Sequence, residues 1–232
     1  MGTDAAGAEG EYGRDTVEFG RAVGFFDAVY AFAVTLLVVN IDPPDASDWR
    51  SLSTLMESGL EWQLLGFVIS FVVIAVFWRA NHRIIAGFRA MKPATIAANL
   101  VATAFVVLIP FSTQGISDVE TADQPLAIAV YAVNISCAIL SQSAMYYVAR
   151  YEGVVKHPLP TRAATARLID TLTMPAVFLA SIPVAYAFGA NAARWTWALL
   201  IVLGPISGRI ADRRVARILG EAGSDSSDSG PS

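Results

Sequence analysis

The chain has 232 residues, 55% hydrophobic and only 16% charged, with a formal net charge of −4 and a mean hydropathy of +0.52. Soluble domains carry about a quarter charged residues, so this composition excludes a water-soluble globule and predicts a protein covered largely by lipid. The negative balance excludes a nucleic-acid partner, which requires a basic face, and a single cysteine, Cys137, excludes a disulfide framework or a cysteine-built zinc site.

Residues 1–13 combine glycine, alanine and acid with no basic start and no cleavage signal, so they do not read as a signal peptide. A flexible tail over 1–19 is expected. A helix needs about 20 mostly apolar residues to span the hydrocarbon. The first such run is Arg21–Ile41, and the second is Trp62–Trp78, between Glu61 and Arg79. The third, Ala94–Ser117, and the fourth, Pro125–Ala149, contain no charge. The fifth runs from about Leu168 to Gly189, with Asp170 at its mouth. The sixth, Trp195–Gly208, is short. Its flanking Arg194 and Arg209 can snorkel, and Trp195 and Trp197 suit an interfacial belt. The expected fold is therefore all-α: six transmembrane helices within 20–219, then a disordered tail over 220–232.

Of the sixteen lysines and arginines, all but Arg50 and Arg194 fall on one side of this arrangement. The positive-inside rule then places both N- and C-termini in the cytoplasm of a multi-pass cell-membrane protein, as six crossings also require. The opposite loops are acidic, with Asp42, Asp45, Asp48, Glu57 and Glu61 in the first and Asp118, Glu120 and Asp123 in the second. Such loops are ordinarily just solvated, although acids at a pore mouth also concentrate cations. The arginines at 209, 213 and 217 form a basic stripe that fixes topology or meets anionic headgroups. Gly204 and Gly208 are a small-xxx-small pair.

No phosphate-cradling loop or nucleophile elbow is present, and His82 and His157 have no metal-ligand spacing. An enzyme, a metal site and a cofactor are not expected. A TVGYG filter and a voltage-sensing arginine ladder are also missing from the sequence. The first helix carries more information. Phe32, Leu36 and Val39 stand at i, i+4 and i+7, with Phe25, Ala28 and Thr35 close to the same face. That spacing serves ordinary helix packing as well as pore lining, and Thr35 can bond a carbonyl of its own helix. Asp27 is either a local cap or hydrogen-bond acceptor, or a functional ionisable group. Arg21 lies six residues away, so it would pair with another helix instead of forming an i, i+4 bridge.

The stretch "RAVGFFDAVYAFAVTLLVVNI", Arg21–Ile41, resembles the signature of the TMEM175 family of potassium channels in its prokaryotic form. That signature is Arg, three residues, Phe-Ser-Asp, three residues, Ala, then a Thr-Leu-Leu-Val run. Arg21, Phe25, Asp27, Ala31, Thr35, Leu36, Leu37 and Val38 match it. Phe26 stands where the family has serine and Ala28 where it has glycine. "FWRANHRII", Phe77–Ile85, resembles the family's Trp…His-His-Arg, with Asn81 replacing the first histidine. "NLVATAFVVLIPFST", Asn99–Thr113, is similar to its Asn…Ile-Pro-Phe segment. The likeness covers about the first half of the chain.

The resemblance implies a homotetramer in the bilayer, with a central pore lined by four copies of the first helix. Potassium would be the permeant ion and no cofactor would be needed. It implies a hydrophobic constriction at Phe32, Leu36 and Val39, with Thr35 beside it. It also implies a network in which Arg21, Phe25 and Asp27 tie the first helix to Trp78, His82 and Asn99. Phe26 removes one hydroxyl from that network, and Phe32 is bulkier than the usual gate residue. The competing reading is a proton-coupled secondary transporter or proton-permeable channel, with Asp27 and Asp170 carrying protons. Against the transporter stands the lack of an inverted repeat or a glycine-broken helix pair in the sequence. A non-conducting structural membrane protein is the third reading.

Overall fold

The computed structural model describes residues 10–118, 120–197, 199, 209–210, 213 and 216–217. The long helices are α1 (Val17–Val39), α3 (Leu60–Ala86), α4 (Pro93–Val107), α5 (Ile109–Ser117), α6 (Pro125–Tyr151) and α7 (Thr161–Phe188). A short helix, α2 (Leu52–Glu57), lies in the acidic loop between α1 and α3. Two short strands, β1 (Tyr12–Gly13) and β2 (Ala90–Met91), pair antiparallel. Proline opens α4 and α6, where its missing N–H costs nothing because no intrahelical acceptor is available.

The third apolar run breaks at Leu108, which separates α4 from α5. Pro110 explains the break, since it lacks an N–H and its ring crowds the preceding turn. Taken together as 93–117, α4 and α5 are one of five helical spans among the described residues that are long and apolar enough to cross a membrane. The expected sixth crossing, 195–208, is described only at 195–197 and 199. Residues 190–197 are helical, whereas Gly204, Gly208 and the tail over 220–232 lie outside the described residues.

Two boundaries differ from the sequence expectation. The second helix does not stop at Trp78 but continues to Ala86, because its buried seam of Ile74, Phe77, Asn81 and Ile85 runs on past the first arginine. Arg79, His82 and Arg83 sit on the exposed side of that extension. The fifth starts at Thr161, well before Leu168, with Ala163 and Ala164 buried and Arg162 and Arg167 turned outward. The expected free tail over 1–19 is also folded from Gly10 onward. β1 adds to β2, and the Arg14 guanidinium donates to the Ala86 and Phe88 carbonyls at 3.1 and 3.0 Å. Phe19 is buried, and the Thr16 hydroxyl accepts from the Phe19 N–H at 3.3 Å to cap α1. Strand pairing, capping and burial together give this segment the contacts that a disordered tail lacks.

The main core joins Tyr30, Ala33 and Leu37 of α1 to Ile74 and Phe77 of α3, Val106 and Ile109 of α4–α5, and Tyr131 and Ile135 of α6. A second cluster around Phe19, Phe88, Met91 and Val154 closes the basic end. A third, of Ile128, Ala185, Ala190 and Ala193, closes the other. There the Arg194 guanidinium donates to the Ile116 and Ala122 carbonyls.

Candidate functional site

The candidate site is the outward face of α1, and it exists because the opposite face is anchored. Tyr30, Ala33 and Leu37 are buried in the core with residues of α3, α4, α5 and α6, and Phe26 is buried on the same face. Both ends of α1 are tied to the rest of the chain, the first by the β1–β2 pair and the Arg14 bonds to the Ala86 and Phe88 carbonyls. The second is held by Asn40, whose side-chain N–H donates to the Pro110 carbonyl at 2.7 Å. The remaining face carries an apolar stripe of Phe25, Ala28, Phe32 and Val39, with Thr35 among them, all exposed. These residues recur at alternating steps of three and four, which is one side of a helix. Phe32 is 61% and Val39 72% exposed, while Leu36 is half-buried at the edge of the stripe. Leu37, one residue on, is only 2% exposed. The Thr35 hydroxyl donates to the Phe32 carbonyl at 2.8 Å within its own helix. Its oxygen lone pairs stay available as acceptors, the one polar group on an otherwise apolar stripe.

The residues of the implied network divide. Asp27, Trp78 and His82 come together: the Trp78 indole N–H donates to Asp27 Oδ1 at 2.9 Å, and the Trp78 and His82 rings lie 5.8 Å apart. Arg21 is exposed, and no ion pair joins it to Asp27 among the described residues. Six helical steps turn it about 240° from Asp27, onto a different face. Phe25 is exposed too, its ring edge-on to Phe26 at 5.6 Å. Phe26, at the family's serine position, is 2% exposed and supplies apolar volume to the bundle where a hydroxyl would have stood. Asn99 is buried and accepts from Asn81 at 2.6 Å, so its partner is the residue that replaces the family's first histidine. Asn99 Nδ2 has no partner among the described residues.

Two anchoring residues were not singled out from the sequence. Gln142 on α6 is buried and donates to the Phe77 carbonyl at 2.9 Å and to the Tyr30 hydroxyl at 3.4 Å. Its signal was an amide, one of two with Asn134, in an uncharged apolar run where interhelical hydrogen bonds are expected. Asn40 gave no periodic signal. Asp170, the second candidate proton carrier, lies on α7 and lines a separate cavity with α3 and α6.

Membrane-length helices and an apolar face held outward on an anchored helix define a multi-pass helical membrane protein. The sequence profile of the family described as "Endosomal/lysosomal potassium channel TMEM175" matches residues 21–110, from Arg21 to Pro110 in the first turn of α5. A potassium channel of Chryseobacterium sp. (strain P1-3) is 26% identical over 108 residues, covering 47% of this chain and 54% of that one. The endosomal/lysosomal proton channel TMEM175 of Homo sapiens is 28% identical over 148 residues, 61% of this chain and 29% of that one. The crystal structure of a lysosomal potassium-selective channel TMEM175 homologue from Chamaesiphon minutus shares the fold. Its TM-score is 0.65 at 23% identity, over 83% of this chain and 99% of that one. The likeness to the TMEM175 family is thus one of sequence over residues 21–110 and of fold over most of the chain. The chain spans about half to two thirds of the length of the bacterial potassium channels that it matches.

Proposed function

We propose that this chain is the subunit of a potassium channel. Four copies surround a central pore, the outward face of α1 lines it, and potassium passes passively down its gradient. Both termini are cytoplasmic in this arrangement. The observation that carries the reading is the exposed stripe of Phe25, Phe32, Thr35 and Val39 on a helix whose other face is buried. In a family with bacterial members named potassium channels, that stripe has a natural occupant in its own symmetry copies. The rings of Phe32, Leu36 and Val39 form the constriction. An ion sheds water to pass a ring narrower than its hydration shell, and apolar walls offer no replacement ligands, so a narrow ring dewets. The Thr35 oxygen is the nearest acceptor for a partly dehydrated cation. Asp27, Trp78 and His82 position α1 and do not touch the ion.

The test is potassium flux from liposomes holding the purified full chain. Passive, voltage-driven potassium efflux that outpaces sodium is expected, and vesicles that hold assembled protein but leak no potassium would falsify the reading. A second reading has one observation behind it, since the human relative is named a proton channel. A pH dye in the same vesicles separates the two: proton movement without potassium movement would replace the first reading with the second.

A further inference from the structure

Helices α3, α6 and α7 enclose a cavity of about 990 Å3. That is the upper end of the range of about 300–1,000 Å3 for small-molecule sites. Its walls are apolar over most of their length, with Val72 and Val76 on α3, Ile135 and Ile139 on α6, and Met174 and Phe178 on α7. Val72 and Val76 are 54% and 61% exposed, so the cavity opens sideways between the helices. One end has a different chemistry. Arg83, Lys156, His157 and Arg167 line the rim there, together with Asp170, so three fixed cations face one carboxylate.

The dimensions match a lipid. From Val72 to Arg83 on α3, and from Arg167 to Phe178 on α7, the walls run 11 residues. At 1.5 Å per residue that is about 16 Å, close to half of the roughly 30 Å hydrocarbon thickness. The groove is therefore one leaflet deep, with its basic rim at headgroup level. The rim is also braced. The Lys156 N–H donates to the Gly87 carbonyl at 2.9 Å and the Arg89 N–H to the Val154 carbonyl at 2.8 Å, which ties this loop across the end of α3. Arg150 holds the Leu159 carbonyl, and the Leu159 N–H donates to the Tyr146 hydroxyl at 3.4 Å.

We propose that this groove binds an anionic phospholipid from the leaflet on the basic side of the protein. Its acyl chains lie against the apolar walls, and its phosphate meets Arg83, Lys156 and Arg167. Basic pockets between membrane helices select anionic headgroups in this way, whereas free phosphate has no use for the apolar depth. The assignment is independent of ion conduction.

The test titrates the full chain, purified in mild detergent, with dioleoyl phosphatidylglycerol or dioleoyl phosphatidylcholine and counts bound lipid by native mass spectrometry. The tails are identical, so any preference reports the headgroup. Phosphatidylglycerol should be retained at least about tenfold better. The double variant Arg83→Gln/Lys156→Gln should lose that preference and keep weak binding of both lipids through the tails. Val76→Trp should lower both counts by filling the groove. Arg89→Gln, outside the groove, should change neither. Equal retention of the two lipids by the unaltered protein would overturn the proposal, as would a preference that survives the double variant or disappears in Arg89→Gln. A groove covered by a second copy, or by the chain's own C-terminal residues, would leave Val76→Trp without effect, and that result also overturns it.

Discussion

Asp27 accepts the Trp78 indole N–H, so deleting its carboxylate orphans an indole, not an arginine. Trp78 is 43% exposed, and an orphaned donor there is partly resolvated. We expect Asp27→Ala to cost about 1 kcal/mol and Asp27→Asn, which keeps a carbonyl acceptor, to cost less. Thermal unfolding in detergent reads both. Equal losses would show that the charge, and not this bond, holds α1. Adjacent leucines give a sharper contrast. Leu37 is in the core, and Leu37→Asn should destabilise the chain by about 2–5 kcal/mol, the range for emptying a buried leucine site. Phe32→Ala and Leu36→Asn should cost less stability. On the proposed pore face they widen and wet the ring, so single-channel conductance should rise and the reversal potential should show weaker discrimination of potassium from sodium. Unchanged permeation in an assembled channel would remove this face from the ion path. Periodicity in the sequence carried Phe32, Leu36 and Val39, because helix spacing fixes which side chains share a face. It did not reveal that Leu36 sits at the edge of the exposed stripe, since that depends on where α3 and α4 dock. The pairing of Asp27 with Trp78 spans 51 positions, and only the family resemblance brought the two together in advance.

Among the elements, the apolar runs were legible because lipid demands length and hydrophobicity. Their ends were less so. Composition stops the second run at Arg79, yet packing continues it to Ala86, since a seam needs only every third or fourth residue to be buried. β1 escaped notice because a two-residue strand has no period and its partner lies far along the chain. The contact of α3 with α5 offers a test at this scale. A Cβ built on Gly66 would stand 2.9 Å from the Ser117 Cβ, and the Ser70 and Thr113 hydroxyls meet nearby at 2.7 Å. Gly66→Leu therefore forces the two helices apart, with an overpacking cost of about 1–3 kcal/mol. The measured midpoint of unfolding should fall accordingly. An unchanged midpoint would mean that α3 and α5 are not held in close contact.

For the whole molecule, the surface left bare is as informative as the core. One chain offers a single helix of the α1 type, which cannot enclose a symmetric path. Closed cyclic assembly is the usual answer for identical subunits. Native mass measurement in nanodiscs should give four chains, and a stable monomer with full potassium flux would end the tetramer reading. Charge was the most legible property at this scale. The basic residues at the ends of α3 and α6 and the start of α7 gather at one end of the bundle, as the loop count required. The cavity between α3, α6 and α7 was not legible, because an empty space has no residues of its own and depends on how helices distant in sequence splay where they pack.

The fastenings of α1 bear on how the proposed channel would open and close. Asn40 is bonded to the Pro110 carbonyl at one end, and the β1–β2 pair and the Arg14 guanidinium fix the other. A rod clamped at both ends does not swing. Tilting α1 alone would rupture the clamps in the same event, so that movement is slow and rare. Two cheaper movements remain, with different clocks. Rotamer flips of exposed side chains such as Phe32 take picoseconds to nanoseconds, and displacement of whole subunits takes microseconds to milliseconds. Brief flicker in a current trace would belong to the first, and long silent intervals to the second.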